Sequence, residues 1–357
     1  MEVYYLTLIV VAVCSFAAEL FLIRKKHSKK LREQNRLPLG TKVCLFLTAF
    51  MLIFIAGSRY YVGSDFGAYY RGLNTYAPRL KEAVKTFDEP GLPLIATIVK
   101  WFTRDGAWFI MTCSALTIGL YMITLYRNEE SYMMMSLLFL LTIWDGTFNG
   151  VRQYLASAVL FCGHRFVYEK KFFKWALIVF LAACIHKSAL VMVVLFFLLR
   201  NKVNFRNILL LAIGTYIVSV NYDTIFSFLG FNDGTSATSY AGRSVNVLRI
   251  LVACAPAILC LLVNIKTKMN EEQTFYTNAM VVHGATMIAA SGSAYLARIG
   301  MYTSPFVVIA LPKMLRMKNK NMEILLRVGT LLLYGVFWYI ELRDAPEMNN
   351  YQFVWWH

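Results

Sequence analysis

"VYYLTLIVVAVCSFAAELFLI", residues 3–23, runs directly into "RKKHSKKLREQNR", residues 24–36. The first stretch is long enough to cross a bilayer as one helix, which takes about 20 apolar residues. No Lys or Arg precedes it, and a dense basic block follows. A cleaved secretory signal carries its charge on the other side of the apolar run. The order here predicts a retained helix with its N-terminus outside and block 24–36 in the cytoplasm.

The rest of the chain reads the same way. Of its 357 residues, 58 % are hydrophobic and only 16 % are charged. A soluble domain of that size carries about a quarter charged residues. The mean hydropathy is positive, and apolar runs of roughly span length recur along the chain. No second soluble domain, low-complexity tract or internal repeat interrupts them, so residues 1–357 read as a single integral membrane domain.

The net charge of +16 follows from basic residues that orient membrane helices and meet anionic lipid heads, not from nucleic-acid binding. The seven cysteines (Cys14, Cys44, Cys113, Cys162, Cys184, Cys254 and Cys260) are scattered singly, without a CxxC pair. Disulfides and thiolate metal sites are therefore not expected, nor is a glycine-rich phosphate loop present.

Further spans are predicted at 41–58, 106–126, 132–148, 151–168, 207–221, 247–265, 273–291, 298–314 and 322–340. The short loops "YRNEES", "EKKFFK", "RNKVNFR", "KTKMNEEQ" and "KMLRMKNKNME" then fall on the side of block 24–36, and most are basic. Stretch 172–199 has basic loops at both ends, so it is read as two short segments meeting at "HKS", a hairpin with its tip outward, the alternative by length being a single tilted helix. Stretch 91–105, "GLPLIATIVKWFTRD", is too short and too charged to span, and is expected to be interfacial or re-entrant. The fold class is all-α: a polytopic helical bundle of roughly ten to twelve crossings with both termini outside.

This topology carries Arg59, Asp65, Asn149, Arg152, Gln153, His186, Arg298 and the tail from Glu341 onward to outer helix ends. Polar groups at membrane depth are expensive and tend to mark function. In "WDGTFNGVRQYLASAVL", 144–160, helical spacing would put Asn149, Arg152, Gln153 and Ala156 on one face. A guanidinium there suits a phosphate or carboxylate; the plain alternative is an arginine snorkelling to lipid phosphate.

In "ACIHKSAL", His186 could act as a base or as a donor to phosphate, or Ser188 could merely cap the descending segment of the hairpin. In "SAYLARIGMYTSPFVVIALP", Arg298 lies just inside a helix end, with Tyr302 one turn on. "RYYVGSDFGAYYRG", 59–72, supplies Arg59, a turn glycine, the Asp65 carboxylate and several tyrosines. These rings suit either an interfacial belt or the faces of sugars. His164 lies toward the cytoplasmic end of its span beside Arg165, and mid-span His283 reads as a packed, hydrogen-bonded histidine.

Arg59 followed by "VGSDFGAYY", then "FNGVRQYLA", "IHKSAL" and "ARIGMY" before "LP", in that order, resembles the EpsG-like family of multi-pass exopolysaccharide and O-antigen polymerases, related in role to Wzy-type enzymes. The resemblance spans about 40–315. Ser64 and Phe66 stand where the family pattern has Thr and Tyr, and Asn350–Tyr351 where a Pro–Tyr pair is common.

The resemblance implies a GT-C-like membrane glycosyltransferase of the bacterial cytoplasmic membrane that needs no metal or other cofactor. It would join oligosaccharide repeat units carried on undecaprenyl diphosphate at the outer face, alongside a flippase and a chain-length regulator. Carried onto this chain, Arg152 and Arg298, with Arg59 nearby, would hold the diphosphate. Asp65 or His186 would take the acceptor proton, with Asp65 favoured and His186 then donating to phosphate. Asn149, Gln153, Ser188 and Tyr302 would bind sugar or support the site. The alternative is a flippase or transporter of the same lipid-linked glycan. It should carry polar residues through the bilayer midplane and show repeat symmetry, whereas here the unusual polar residues gather at one face. An acyltransferase would need a cytoplasmic approach for its donor, which these motifs do not face.

Overall fold

The computed structural model describes residues 1–27, 37–128, 130–221, 224, 245–264, 268–291 and 297–356. Most of the basic block 24–36, Glu129 of the loop "YRNEES", Lys266 and Thr267 of "KTKMNEEQ", residues 292–296 of the motif before Arg298, and His357 of the tail lie outside the described residues.

The fold is all-α, with one two-residue strand pair among the described residues. Among the same residues four helices are long and apolar enough to cross a membrane: α1 (Glu2–His27), α2 (Leu39–Gly57), α6 (Gly106–Tyr126) and α17 (Lys320–Arg343). With the shorter apolar helices between them, they make this a polytopic membrane protein.

Where the sequence shows no boundary, the structure divides into two compact units. One comprises Met1–Val151 with Met317–His357; the other is Arg152–Arg316. The first is assembled from both ends of the chain, so no linker composition betrays it.

In the first unit, α1 buries one stripe: Tyr4, Thr7, Val11, Ser15 and Ala18, spaced three and four apart. Leu6, Ile9, Val13 and Phe16 point outward although they are equally apolar. That pattern suits a helix whose solvent is lipid. The inward hydroxyls do not compete for distant partners. Thr7 donates to the Val3 carbonyl at 2.7 Å and Ser15 to that of Val11 at 2.6 Å. Thr41 on α2 donates to the Ala18 carbonyl at 3.2 Å, fixing the α1–α2 register.

Helix α6 starts on Asp105, whose carboxylate accepts the Ala107 N–H at 2.9 Å. Between α2 and α6 lie β1 (Arg59–Tyr60), α3 (Phe66–Tyr76), α4 (Leu80–Thr86) and α5 (Gly91–Lys100). Helix α5 is too short to span, in keeping with the reading of 91–105. Helix α7 (Tyr132–Phe139) is held at its start by Glu19 of α1, which accepts the Ser131 hydroxyl at 2.8 Å and the Met133 N–H at 3.2 Å. It loosens into a π segment, Leu140–Trp144, and a 3₁₀ turn, Asp145–Phe148.

After α17 come α18 (Pro346–Asn349) and β2 (Gln352–Phe353). Strand β2 pairs antiparallel with β1, Arg59 opposite Phe353 and Tyr60 opposite Gln352. The Met1 ammonium donates to the Asn349 carbonyl at 3.4 Å, so both termini meet at one end of this unit.

In the second unit, predicted span 151–168 is α8 (Val151–Gly163) and α9 (Arg165–Tyr168), broken at His164. Stretch 172–199 is a helical hairpin of α10 (Phe172–Ala183) and α11 (Val191–Leu198). Phe172 at its start meets Phe196 near its end at 5.2 Å between rings, and the Trp175 indole donates to the Met192 carbonyl at 3.0 Å. A single tilted helix is thereby excluded.

Helices α12 (Phe205–Val220), α13 (Val247–Asn264) and α14 (Glu271–Ala289) follow. The last opens with a capping box of Asn270 and Gln273. Predicted span 298–314 is also broken, into α15 (Ala297–Thr303) and α16 (Pro305–Met314). Pro305 has no N–H to offer the Met301 carbonyl one turn back. The buried Ser157 hydroxyl of α8 takes that carbonyl instead, at 2.8 Å.

Candidate functional site

The expected site residues form two constellations, one in each unit. In the first unit the centre is Arg59, just past the end of α2 and only 1 % exposed. Nε donates to the Val62 carbonyl at 3.2 Å, Nη2 to that of Phe148 at 3.2 Å, and Nη1 to Ser114 Oγ at 3.3 Å and to the Ala56 carbonyl. The guanidinium also lies 4.9 Å from the Phe148 ring centroid. Among the described residues no carboxylate reaches it. Burial pulls its pKa down to about 10, opposed by nearby phenols and the Cys113 thiol. It therefore stays charged at neutral pH.

Four of its five N–H donors are thus committed to the protein. Arg59, expected near a diphosphate, here ties the end of α2, the loop after it, α6 and the end of the α7 segment into one point.

The tail completes this knot, through a residue whose role sequence reasoning left open. The Tyr351 hydroxyl donates to the Ile55 carbonyl at 2.6 Å and lies 3.3 Å from Ser58 Oγ. Burial raises its pKa to about 12, so the phenol stays protonated and can donate. The Val354 N–H reaches the Ser58 carbonyl at 2.8 Å, and the Gly63 N–H that of Glu347 at 3.1 Å.

Asp65 stands at the start of α3 without capping its own helix. One oxygen accepts the Gly150 N–H at 2.9 Å and the other the Ser64 hydroxyl at 3.4 Å. Ser64 also approaches Asn149 Oδ1 at 3.2 Å. Asn149 is extended (φ −109°, ψ 159°), Gly150 is left-handed (φ 57°), and α8 begins only afterwards. The expected shared helical face of Asn149 with Arg152 is therefore wrong. Gly150 breaks the phase and delivers Asn149 to the Asp65 loop instead. Gly63 is required there: its φ is +88°, and a Cβ would sit 2.7 Å from Asn149 Oδ1.

In the second unit, three motifs distant in sequence close on one another. Gln153, on the first turn of α8, meets His186 at the hairpin tip, Nε2 to Nε2, at 3.1 Å. Ser188, two residues past His186, hydrogen-bonds the Tyr302 hydroxyl of α15 at 2.5 Å. Tyr302 neighbours Met301, whose carbonyl accepts from Ser157, one turn after Gln153 on α8. The circuit thus returns to its first helix. His186, Gln153, Ser188 and Tyr302 are all buried. Ser188 does not cap the hairpin's descending helix, as one reading expected: Leu190 holds that position, His186 (φ −152°, ψ 118°) precedes a 3₁₀ turn, Lys187–Leu190, and Ser188 within that turn bonds Tyr302.

Arg152 precedes Gln153, and Arg298 lies one turn before Tyr302; both are half-buried. Ser157 escaped notice in the sequence because a serine between alanines reads as a packing residue. His283 is packed as expected, and His164 is packed as well. His283 Nδ1 meets Thr303 Oγ1 at 3.1 Å, and His164 lies between the Phe161 carbonyl at 2.6 Å and the Tyr276 hydroxyl at 3.0 Å.

A multi-pass, all-helical membrane protein whose unusual polar residues cluster at helix ends belongs to a small set of membrane classes. The sequence pattern of the EpsG family matches residues 42–354. The chain belongs to that family, which points to a polysaccharide-polymerase-like role. No curated protein and no solved structure shows significant similarity to it.

Proposed function

We propose that this protein polymerises oligosaccharide repeat units carried on undecaprenyl diphosphate, by glycosyl transfer at the outer face of the bacterial cytoplasmic membrane. The growing chain is the donor. A hydroxyl oxygen of the incoming unit attacks the anomeric carbon, the bond from that carbon to the diphosphate oxygen breaks, and undecaprenyl diphosphate departs. Arg152 and Arg298 hold the diphosphate, since guanidinium groups stay charged and bind phosphate oxygens in pairs. His186 takes the hydroxyl proton on Nε2, which exchanges the Gln153 amide N–H it accepts at rest for the substrate hydroxyl. Ser188 and Tyr302 fix the hairpin tip against α15. A flippase supplies the units, and a chain-length regulator limits the product.

The observation that carries this reading is the closed circuit of Gln153, His186, Ser188 and Tyr302, buried and flanked by two arginines on the helices that form it. Of the two bases offered by the sequence, Asp65 and His186, this reading takes His186, which lies in the same buried circuit as Gln153, Ser188 and Tyr302.

The test is Arg152→Ala in the source cell. Protein level in the membrane should be unchanged, while single lipid-linked repeats accumulate and the surface-polysaccharide ladder collapses to one unit. Long chains from that variant would refute the diphosphate role. In a deletion strain, complete loss of surface glycan with lipid-linked units trapped inside would instead indicate a flippase.

A further inference from the structure

Tyr61 combines three features that packing does not explain. Its backbone is left-handed (φ 48°), a conformation that bulky side chains seldom adopt. Its side chain is nevertheless 61 % exposed, so most of the ring that this backbone displays is left open. And the loop is fixed on both sides of it. Strand pairing holds Arg59 and Tyr60, while the Arg59 Nε–H grips the Val62 carbonyl and the Gly63 N–H is tied to Glu347. Strain that is held in place by its surroundings points to a use for the displayed group.

The displayed ring is backed and flanked. Tyr60 meets it edge-on with ring centroids 4.9 Å apart, and the buried Phe66 supports it at 5.0 Å. Beside it lies Gly67, where a Cβ would be 3.7 Å from Tyr61 Cε1 and 3.5 Å from the Arg71 guanidinium. The same short loop carries Ser64 and Asp65 and holds Asn149, whose Oδ1 is met by Ser64. Among the described residues Asn149 Nδ2 has no hydrogen-bond partner. An exposed aromatic face next to an amide donor, a hydroxyl and a carboxylate matches the two sides of a sugar ring: C–H groups on its face and hydroxyls around its edge.

We propose that Tyr61, with Asn149 and Arg71 at its edge, is a carbohydrate-binding platform of the first unit that engages a sugar residue of the glycan substrate. The proposal deepens the polymerase reading and rests on it for the identity of the glycan, but not for the binding itself.

The experiment uses the full chain in native membranes with Tyr61→Phe, Tyr61→Leu and Tyr61→Asn, the last because Asn tolerates the left-handed backbone. Y61F, which keeps the ring, should give wild-type chain lengths. Y61L and Y61N should shorten the polymer and raise the apparent KM for lipid-linked acceptor roughly tenfold, the order of one aromatic contact. A ring that only faces lipid would be replaced by Leu without effect, and wild-type chain lengths from both Y61L and Y61N would overturn the proposal.

Tyr61→Trp in detergent-purified protein gives a direct readout. Its emission should shift on adding oligosaccharides released by mild acid from the cell's own surface polysaccharide, and no shift would overturn the platform. Should the deletion strain lose all surface glycan with lipid-linked units trapped inside while Y61W still responds to these fragments, the polymerase reading fails and the sugar platform stands.

Discussion

Tyr351 and Ile55 are 296 positions apart, yet the phenol of one donates to the carbonyl of the other at 2.6 Å. That bond closes the first unit at the end where Arg59 is buried. Tyr351→Phe keeps the ring contacts with Tyr4 and Phe353 and removes only the hydroxyl. Thermal unfolding in detergent should show a loss of about 1 kcal/mol, the usual worth of one such bond. Truncation before Tyr351 also removes β2 and should expose the 59–66 loop to protease.

Arg59 and Arg152 should behave oppositely. Arg59→Ala orphans the carbonyls of Ala56, Val62 and Phe148 in a buried site, a loss on the order of 3–5 kcal/mol. Immunoblots of membranes should show little protein. Arg59→Lys should rescue it poorly, because an ammonium cannot spread its donors over four acceptors. Arg152→Ala should accumulate normally and fail only in polymer formation.

Asp65→Asn distinguishes a loop anchor from a base. The amide oxygen can still accept the Gly150 N–H, so this variant should keep long-chain product on gels. Asp65→Ala should shorten or abolish it. Loss of product in Asp65→Asn, at normal protein level, would return the base role to Asp65.

His283 bonds Thr303 on the helix that carries Arg298 and Tyr302. Asn places an amide nitrogen near the position of Nδ1, so His283→Asn should retain polymer. His283→Leu should lower it several-fold, the order of one lost buried hydrogen bond, and Thr303→Val should match it. Quantified lipid-linked single repeats give the comparison.

Much of this was legible in the chain. Apolar run length and basic flanks located the long helices, and the charge at both ends of 172–199 favoured a hairpin over a single tilted helix, which the meeting of Phe172 and Phe196 bears out. What escaped has a common cause: backbone groups carry no letter in the sequence. The carbonyls of Phe148 and Ala56 that occupy Arg59, the Gly150 N–H that occupies Asp65, and the Met301 carbonyl freed by Pro305 belong to residues whose side chains gave no hint. Asn149 was misplaced for a related reason. Helical spacing holds only within a helix, and the left-handed Gly150 ends that spacing one residue too early.

The discontinuity of the first unit also sets an order of synthesis. A ribosome adds about 5–20 residues per second, so the 296 positions from Ile55 to Tyr351 take about 15–60 s to make. For that interval the Ile55 and Ser58 carbonyls at the rim of α2 must find partners other than the Tyr351 hydroxyl and the Val354 N–H, which emerge last.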